Sequence, residues 1–111
     1  MDFIEQYDEE NDYYFEIPEI EIATDQTIED FLNSEDADLY AALLSALYNA
    51  ITLGFDTVPV FAVKYEDNIV NINREEYPES LDNCLKYFTK LEEYELCQVL
   101  ADLKKKLWDL F

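Results

Sequence analysis

Residues 34–54, SEDADLYAALLSALYNAITLG, carry the clearest structural signal in the chain and predict a long amphipathic helix. Acidic residues crowd its first turn, where the helix dipole favours negative charge, and Gly54 follows as a C-cap. Apolar side chains recur at helical spacing and predict a wide apolar stripe. The stripe consists of Leu39, Tyr40, Leu43, Leu44, Leu47, Tyr48 and Ile51.

The opposite face of this helix consists of small, uncharged residues. They are Ala41, Ser45, Ala46 and Asn49. In a chain with so many charges, such a face predicts that the helix is covered on both sides, by a sheet and by another helix or a second subunit. We expect the second cover to come from the same chain, with a dimer contact as the alternative.

After this helix, TVPVFAVKYEDNIVNIN at 57–73 predicts a β-hairpin. Its strands are expected near 58–65 and 69–73, around the polar turn at 66–68.

The remainder of the chain is predicted to be helical. Pro78 suits a helix start, and TKLE at 89–92 has the form of a capping box before a last helix that runs through Leu110. The lysines at 104–106 are expected to form its solvated end. The apolar residues at helical spacing are Leu81, Leu85 and Phe88, and then Leu96, Val99, Leu100, Leu103, Leu107 and Leu110.

Before the long helix, the segment from Tyr13 to Ile22 has the alternation of a strand. Its apolar phase changes after Pro18, which predicts an edge strand with a bulge. TIED at 27–30 has the form of a capping box with Asp in place of Glu and predicts a short helix through Leu32.

These elements predict an α+β fold in which a small antiparallel sheet of about three strands packs against about four helices. The 111 residues are expected to form a single domain, 1–111. Cys84 and Cys97 lie inside apolar periodic segments without ligand spacing, so we expect reduced core thiols rather than a disulfide.

Charge divides the chain into two halves. Residues 1–63 carry sixteen Asp and Glu and no Lys or Arg, whereas residues 64–111 carry seven bases and eleven acids. A net charge of −20 opposes compaction. It also repels nucleic acid and anionic membranes, so we expect direct contact with neither. The expected partner is a basic protein.

The composition disfavours most enzymatic chemistry. The chain has no histidine and one glycine, which excludes histidine-based catalysis and glycine-rich phosphate loops. An EF-hand-like alignment that starts at Asp8 places Tyr13 where the loop requires glycine and Pro18 near its end. We therefore expect no enzyme activity, no metal site and no cofactor.

The amino terminus lacks the cationic region of a secretory signal, and the longest nearly uncharged stretch, Leu39 to Phe55, is shorter than the roughly 20 residues needed to span a bilayer. A cytoplasmic protein is expected.

The acidic half is the predicted partner-binding surface. Carboxylates two residues apart on a strand, such as Glu19 and Glu21, project from one face at about 6.6 Å, and helical pairs such as Asp25 and Glu29 lie about 6 Å apart along the axis. Such an array can occupy a Lys/Arg groove that accepts phosphates. Exposed tyrosines add contact area and can stack on arginine. The candidate residues are Tyr7, Asp8, Glu9, Glu10, Asp12, Tyr14, Glu16, Glu19, Glu21, Asp25, Glu29, Asp30, Glu35 and Asp36.

In size, charge and its base-free half, the chain resembles the small acidic inhibitors, many of them phage-encoded, that imitate DNA to block restriction enzymes, CRISPR effectors or other DNA-binding proteins. The resemblance implies a non-enzymatic inhibitor of a basic nucleic-acid-binding protein that acts in the host cytoplasm. It also extends to acidic immunity proteins that neutralise basic nuclease toxins. These inhibitors share no motif, so the resemblance assigns no site residue.

Two other interpretations remain open at this point. Residues 1–22 are typical of an acidic and aromatic recognition segment that folds on a partner. Adaptation to high salt is a third interpretation, but the concentration of acids in one half of the chain argues against it. The sequence is compatible with a monomer or a homodimer.

Overall fold

The structure, a computed structural model, describes residues 2–23 and 25–110 of the chain. Its strands are β1 (Asp2–Asp8), β2 (Tyr13–Ile20), β3 (Thr57–Val63) and β4 (Ile69–Asn73). Its helices are α1 (Ile28–Leu32), α2 (Ala37–Leu53), α3 (Tyr77–Lys90) and α4 (Tyr94–Leu110), with a 3-10 helix at Arg74–Glu76. The described residues form an α+β fold, which confirms the predicted class.

The sheet has four strands in the order β1-β2-β3-β4, and it is mixed. β1 pairs with β2 and β3 pairs with β4 in antiparallel orientation, whereas β2 and β3 are parallel. The prediction of about three antiparallel strands was therefore wrong in number and in orientation. The connection from β2 to β3 contains α1 and α2, which is long enough for the crossover that a parallel pair needs.

β2 differs from the predicted edge strand in position and in pairing. It ends at Ile20 and lies inside the sheet, between β1 and β3. The predicted change of phase is present, since Phe15 and Ile17 are buried and Ile20 follows in the other phase. The predicted bulge is not in this strand, because the register with β1 is continuous through Pro18.

The ladder pairs that β2 forms with β3 involve only Glu19 and Ile20. Pro18 precedes both, so its missing N–H costs no bond in that ladder. The register irregularity of the sheet lies instead in β3, between Pro59 and Phe61.

The capping signals of the first two helices are confirmed. The hydroxyl of Thr27 accepts a 3.0 Å bond from the backbone N–H of Asp30, and the Asp30 carboxylate accepts from the N–H of Thr27. The Asp36 carboxylate accepts from the N–H groups of Asp38 and Leu39, at 2.9 and 3.1 Å, and so caps α2. Gly54 ends α2 with φ 76°, a conformation that glycine adopts without strain.

The buried face of α2 is wider than the predicted stripe, because α2 packs on β3 and also against α3 and α4. Leu39, Leu47 and Ile51 are buried as predicted, but Tyr48 is half exposed. Three alanines are buried as well, where the neighbouring backbones approach closely. They are Ala42, Ala46 and Ala50.

The face of α2 that carries small residues is only partly buried by the rest of the described chain. Ala46 is buried in the same chain, but Ala41 and Ser45 remain exposed. They border an apolar groove that also contains Leu44, Tyr48, Phe88, Leu96 and Val99.

The carboxyl-terminal half follows the prediction except at one junction. β3 and β4 form the expected hairpin, and Pro78 lies in the first turn of α3. The TKLE capping box was wrong, because Thr89 lies in the last turn of α3 and α4 begins only at Tyr94. Glu92 adopts φ 58° between the two helices.

In α4, Leu100, Leu103 and Leu107 are buried, whereas Val99 is about one-third exposed and the side chain of Leu110 lies outside the described part. Lys105 and Lys106 are exposed, and Lys104, which is partly exposed, forms a 2.9 Å ion pair with Asp82.

Both cysteines are free thiols. Cys84 is fully buried, and burial raises the pKa of its thiol to about 12. Cys97 is half-buried, and its Sγ lies 3.5 Å from the Thr89 hydroxyl.

Candidate protein-interaction surface

The β1–β2 hairpin presents one face to solvent. Cross-strand partners share a face, and the register pairs Glu5 with Glu16 and Tyr7 with Tyr14. Phe3 continues the same face along β1, because it is two residues from Glu5. We call these five residues the hairpin face.

The opposite face of the hairpin points inward. Phe15 and Ile17 are buried there, and Ile4, the partner of Ile17, is half-buried against the core. Strand alternation therefore positions the hairpin face, since burial of one set of residues exposes the other.

The aromatic side chains of the hairpin face are exposed to solvent. Phe3 is 53%, Tyr7 43% and Tyr14 63% exposed. The two tyrosine rings contact each other with centroids 4.8 Å apart, at an interplanar angle of 47°. The two rings pack against each other, and both side chains remain accessible to a partner.

Glu5 and Glu16 are like charges at directly opposed positions, where Cβ atoms are about 5 Å apart. Neither carboxylate forms a hydrogen bond or ion pair with any residue that the structure describes. Such a pair is destabilising in an isolated domain. A cation that approaches from outside relieves this repulsion.

The turn between β1 and β2 is held by side-chain hydrogen bonds. The Asp8 carboxylate accepts from the N–H of Glu10 at 3.0 Å, and from the N–H and side-chain amide of Asn11 at 3.4 and 2.7 Å. The same amide of Asn11 also donates to the carbonyl oxygen of Thr57 in β3, at 3.4 Å. The turn is thus attached to the sheet.

Asp12 completes the turn with φ 49°, a left-handed conformation that Asp tolerates better than most residues. Its carboxylate accepts a 2.9 Å bond from the Tyr7 hydroxyl. This hydrogen bond is the main reason that the pKa of Tyr7 is raised. The side chains of Glu9 and Glu10 extend from the tip with no partner among the described residues.

A second acidic group surrounds a shallow depression beside the end of β2. Its one base is Lys64, whose Nζ lies 3.5 Å from the Asp2 carboxylate. Tyr65 and then this hydrogen bond raise the pKa of Lys64, so it stays protonated. The acids of the depression are Asp2, Glu19, Glu21, Asp36 and Asp38.

The remaining predicted acids are separate from these two groups. Asp25, Glu29 and Asp30 lie at or before α1, and Asp30 is occupied by its capping box. Glu35 forms an ion pair with Lys90. Asp8, Asp12, Asp30 and Asp36 therefore carry local structural roles in addition to their charge.

Four acidic or aromatic residues of these groups were missed by the sequence interpretation, namely Asp2, Phe3, Glu5 and Asp38. Residues 2–8 were not recognised as a strand, because the predicted strand began only at Tyr13. The chain instead turns at 9–12. The exposed alternation of Phe3, Glu5 and Tyr7 was the available signal.

Metal ligands, membrane-spanning helices and similar proteins provide little further information about this surface. Among residues 2–23 and 25–110, no three Asp, Glu or Cys side chains converge in a way that could hold a metal ion. In that same part of the chain, every helix is too short or too polar to cross a membrane. No protein-family model, no curated protein and no solved structure matches the chain.

Proposed function

We propose that this protein is a non-enzymatic inhibitor that imitates nucleic acid and occupies the nucleic-acid-binding groove of a basic protein. The observation that carries the proposal is the hairpin face with its adjoining turn. On the paired strands β1 and β2, it presents unpaired carboxylates beside exposed aromatic rings. These strands lie within residues 1–63, which contain no Lys or Arg.

The spacing of these carboxylates supports the proposal. The Cβ atoms of Glu5 and Glu16, which carry two of these carboxylates, are about 5 Å apart across the strands, and Glu9 and Glu10 add negative charge in the turn beyond the end of β1. A nucleic-acid strand places one charge per roughly 3.4 Å, so the separations are of the same order. Lysines and arginines that receive phosphates can therefore approach several of these acids together.

The electrostatic field supports fast and salt-dependent binding. The net charge is −20, and residues 1–63, with sixteen acids and no base, carry most of it. This charge attracts a basic groove from a distance of about one Debye length, near 8 Å at physiological salt. Exposed charges are screened by salt, so binding through them weakens as ionic strength rises.

The structure favours a preformed surface over a segment that folds on its partner. Phe15, Ile17 and Ile20 of β2 belong to the hydrophobic core, and the turn at 9–12 is bonded to β3. Separating residues 1–22 from the domain exposes these apolar side chains. The immunity-protein interpretation uses the same surface against a basic nuclease, and the identity of the bound partner distinguishes the two.

The test is affinity capture of basic proteins from a nuclease-treated bacterial lysate by the immobilised protein. We expect a nucleic-acid-handling protein that elutes at high salt and is displaced by duplex DNA or by RNA. A dominant partner that resists high salt and has no nucleic-acid function contradicts the proposal.

A pair of charge-matched variants makes this test specific to the site. The hairpin variant removes four negative charges by the changes Glu5→Gln, Glu9→Gln, Glu10→Gln and Glu16→Gln. The control variant removes four elsewhere by the changes Glu66→Gln, Asp67→Asn, Glu92→Gln and Glu93→Gln. We expect the hairpin variant to lose most of the captured partner and the control variant to keep it. An equal loss of capture in both variants shows that net charge alone is responsible, and undiminished capture by the hairpin variant contradicts the proposal.

A further inference from the structure

β1 is an edge strand whose protection is negative charge alone. It ends the strand order of the sheet, and no described residue pairs with its outer side. An edge presents unpaired N–H and C=O groups, which can template the addition of another strand. Natural edges are commonly protected by charged side chains, proline or a bulge. β1 has neither proline nor a bulge, and its seven residues pair with β2 in continuous register.

β4, at the other edge, is a weaker template. It is five residues long and alternates asparagine with aliphatic residues, without an exposed aromatic or acidic side chain. β1 is longer than the commonest strand length of about 5–6 residues, and Phe3 and Tyr7 project from it half exposed. An added strand therefore gains more contact at β1.

The charge of β1 selects the type of strand that can be added. Asp2, Glu5 and Asp8 lie along it, and Lys64 is the one base that contacts it among the described residues. A second copy of this chain paired along β1 brings acids next to acids, which is destabilising at cross-strand positions. A strand with lysine or arginine at alternate positions meets opposite charges instead.

We propose that β1 accepts an extended basic segment of the partner as an additional strand of the sheet, paired along its free edge. This inference rests on the proposed function and specifies how the partner is held. Backbone hydrogen bonds to β1 provide affinity, as in other cases of strand addition. A cationic side chain opposite Glu5 relieves its repulsion with Glu16, and an arginine at a neighbouring position stacks on Phe3 or Tyr7.

The test separates backbone pairing from charge attraction. The probe is an acetylated and amidated heptapeptide, as long as β1, that alternates arginine and valine. The control is the same peptide with N-methyl groups on alternate backbone nitrogens, which keeps the charge and removes hydrogen-bond donors from the pairing edge. Affinities are measured by calorimetry at low salt, and amide hydrogen exchange is followed residue by residue.

We expect the unmethylated peptide to bind about tenfold more tightly or better, since several backbone hydrogen bonds depend on the free N–H groups. Binding should protect alternate amides of β1 from exchange and leave those of β4 unchanged. Glu5→Gln should weaken the peptide complex more than the matched change Asp67→Asn. Equal affinities of the two peptides, or protection at β4 rather than β1, overturn the proposal.

Failure of the strand-addition proposal can be distinguished from failure of the proposed function. If DNA displaces the captured partner while N-methylation has no effect on the peptide, the surface binds by charge and the edge is not used. If the hairpin variant keeps its partner, the proposed function is wrong whatever the peptides do.

Discussion

Glu5 of β1 lies directly opposite Glu16 of β2 on the exposed face of the hairpin, next to the contacting rings of Tyr7 and Tyr14. Two carboxylates at such positions repel each other, and no base among the described residues compensates them. A surface that served stability alone would place opposite charges there. The repulsion between Glu5 and Glu16 lowers the stability of the fold, and the binding of a basic partner, as proposed above, would relieve it.

The first prediction concerns this pair. Glu16→Lys should increase the free energy of unfolding by about 0.2–1 kcal/mol, because it replaces a cross-strand repulsion by an attraction to Glu5. The same change should weaken partner capture. Urea unfolding measures the stability, and Asp67→Lys, which alters net charge equally at an exposed turn, is the control. A loss of stability in Glu16→Lys, or an equal gain in Asp67→Lys, contradicts a local repulsion.

A second prediction separates the structural acids of the turn from those at its tip. Asp8→Ala should lower the free energy of unfolding by about 1–2 kcal/mol, because its carboxylate accepts three hydrogen bonds from Glu10 and Asn11. Glu9→Gln and Glu10→Gln should change it by less than about 0.5 kcal/mol, since both side chains are exposed. Denaturant titration of the three variants checks this. Charge reversal at Asp8 therefore tests folding as well as binding, and the tip acids are the cleaner binding probes.

The elements that the sequence predicted are those with local signals. Capping residues placed α1 and α2 correctly, as Thr27 and Gly54 illustrate, because a cap is recognised within a few residues. β1 escaped recognition because Ile4 is the one aliphatic residue on its inward side, where Gln6 and Asp8 follow. An edge strand buries little, so its hydrophobic alternation is weak.

The sheet arrangement could not be predicted from local patterns. The parallel pairing of β2 with β3 joins Ile20 to Val63 across the whole of α1 and α2. Nothing in either strand identifies that partner, because the alternation of β2 and the apolar run of β3 each indicate a strand but not its neighbour. Most of the candidate acids are exposed, while Asp8, Glu19 and Asp36 are half-buried. Their grouping depends on β1 and on the turn at 9–12, which the sequence analysis did not predict.

A third prediction separates charge from capping at Asp36. Asn caps a helix about as well as Asp, so Asp36→Asn should leave stability nearly unchanged while removing one charge from the depression beside β2. Asp36→Ala should lower the free energy of unfolding by about 0.5–2 kcal/mol, because the N–H groups of Asp38 and Leu39 lose their acceptor. Thermal unfolding with circular dichroism compares the two. Equal losses in both variants indicate that the charge rather than the cap stabilises α2.

A fourth prediction concerns alkaline pH. Burial raises the pKa of the Cys84 thiol to about 12 from an ordinary value of 9.0. Burial is also the largest cause of the raised pKa of Tyr77, whose hydroxyl donates to the carbonyl oxygen of Phe55 at 2.8 Å. Both groups keep their protons in the folded state above the pH at which they ionise in the unfolded chain. The stability that they contribute is therefore fully present below about pH 9 and is lost as pH rises towards 12.

Urea unfolding at a series of pH values from about 7 to 11 measures this loss. We expect a slope that steepens above about pH 9, with up to about 1.4 kcal/mol per pH unit from Cys84. Cys84→Ala should be less stable at neutral pH, because it leaves a cavity, but should lose less stability on going to alkaline pH. In the native protein, a thiol reagent should modify the half-buried Cys97 well before Cys84. Identical alkaline slopes in Cys84→Ala and the unchanged protein rule out Cys84 as a source of the effect.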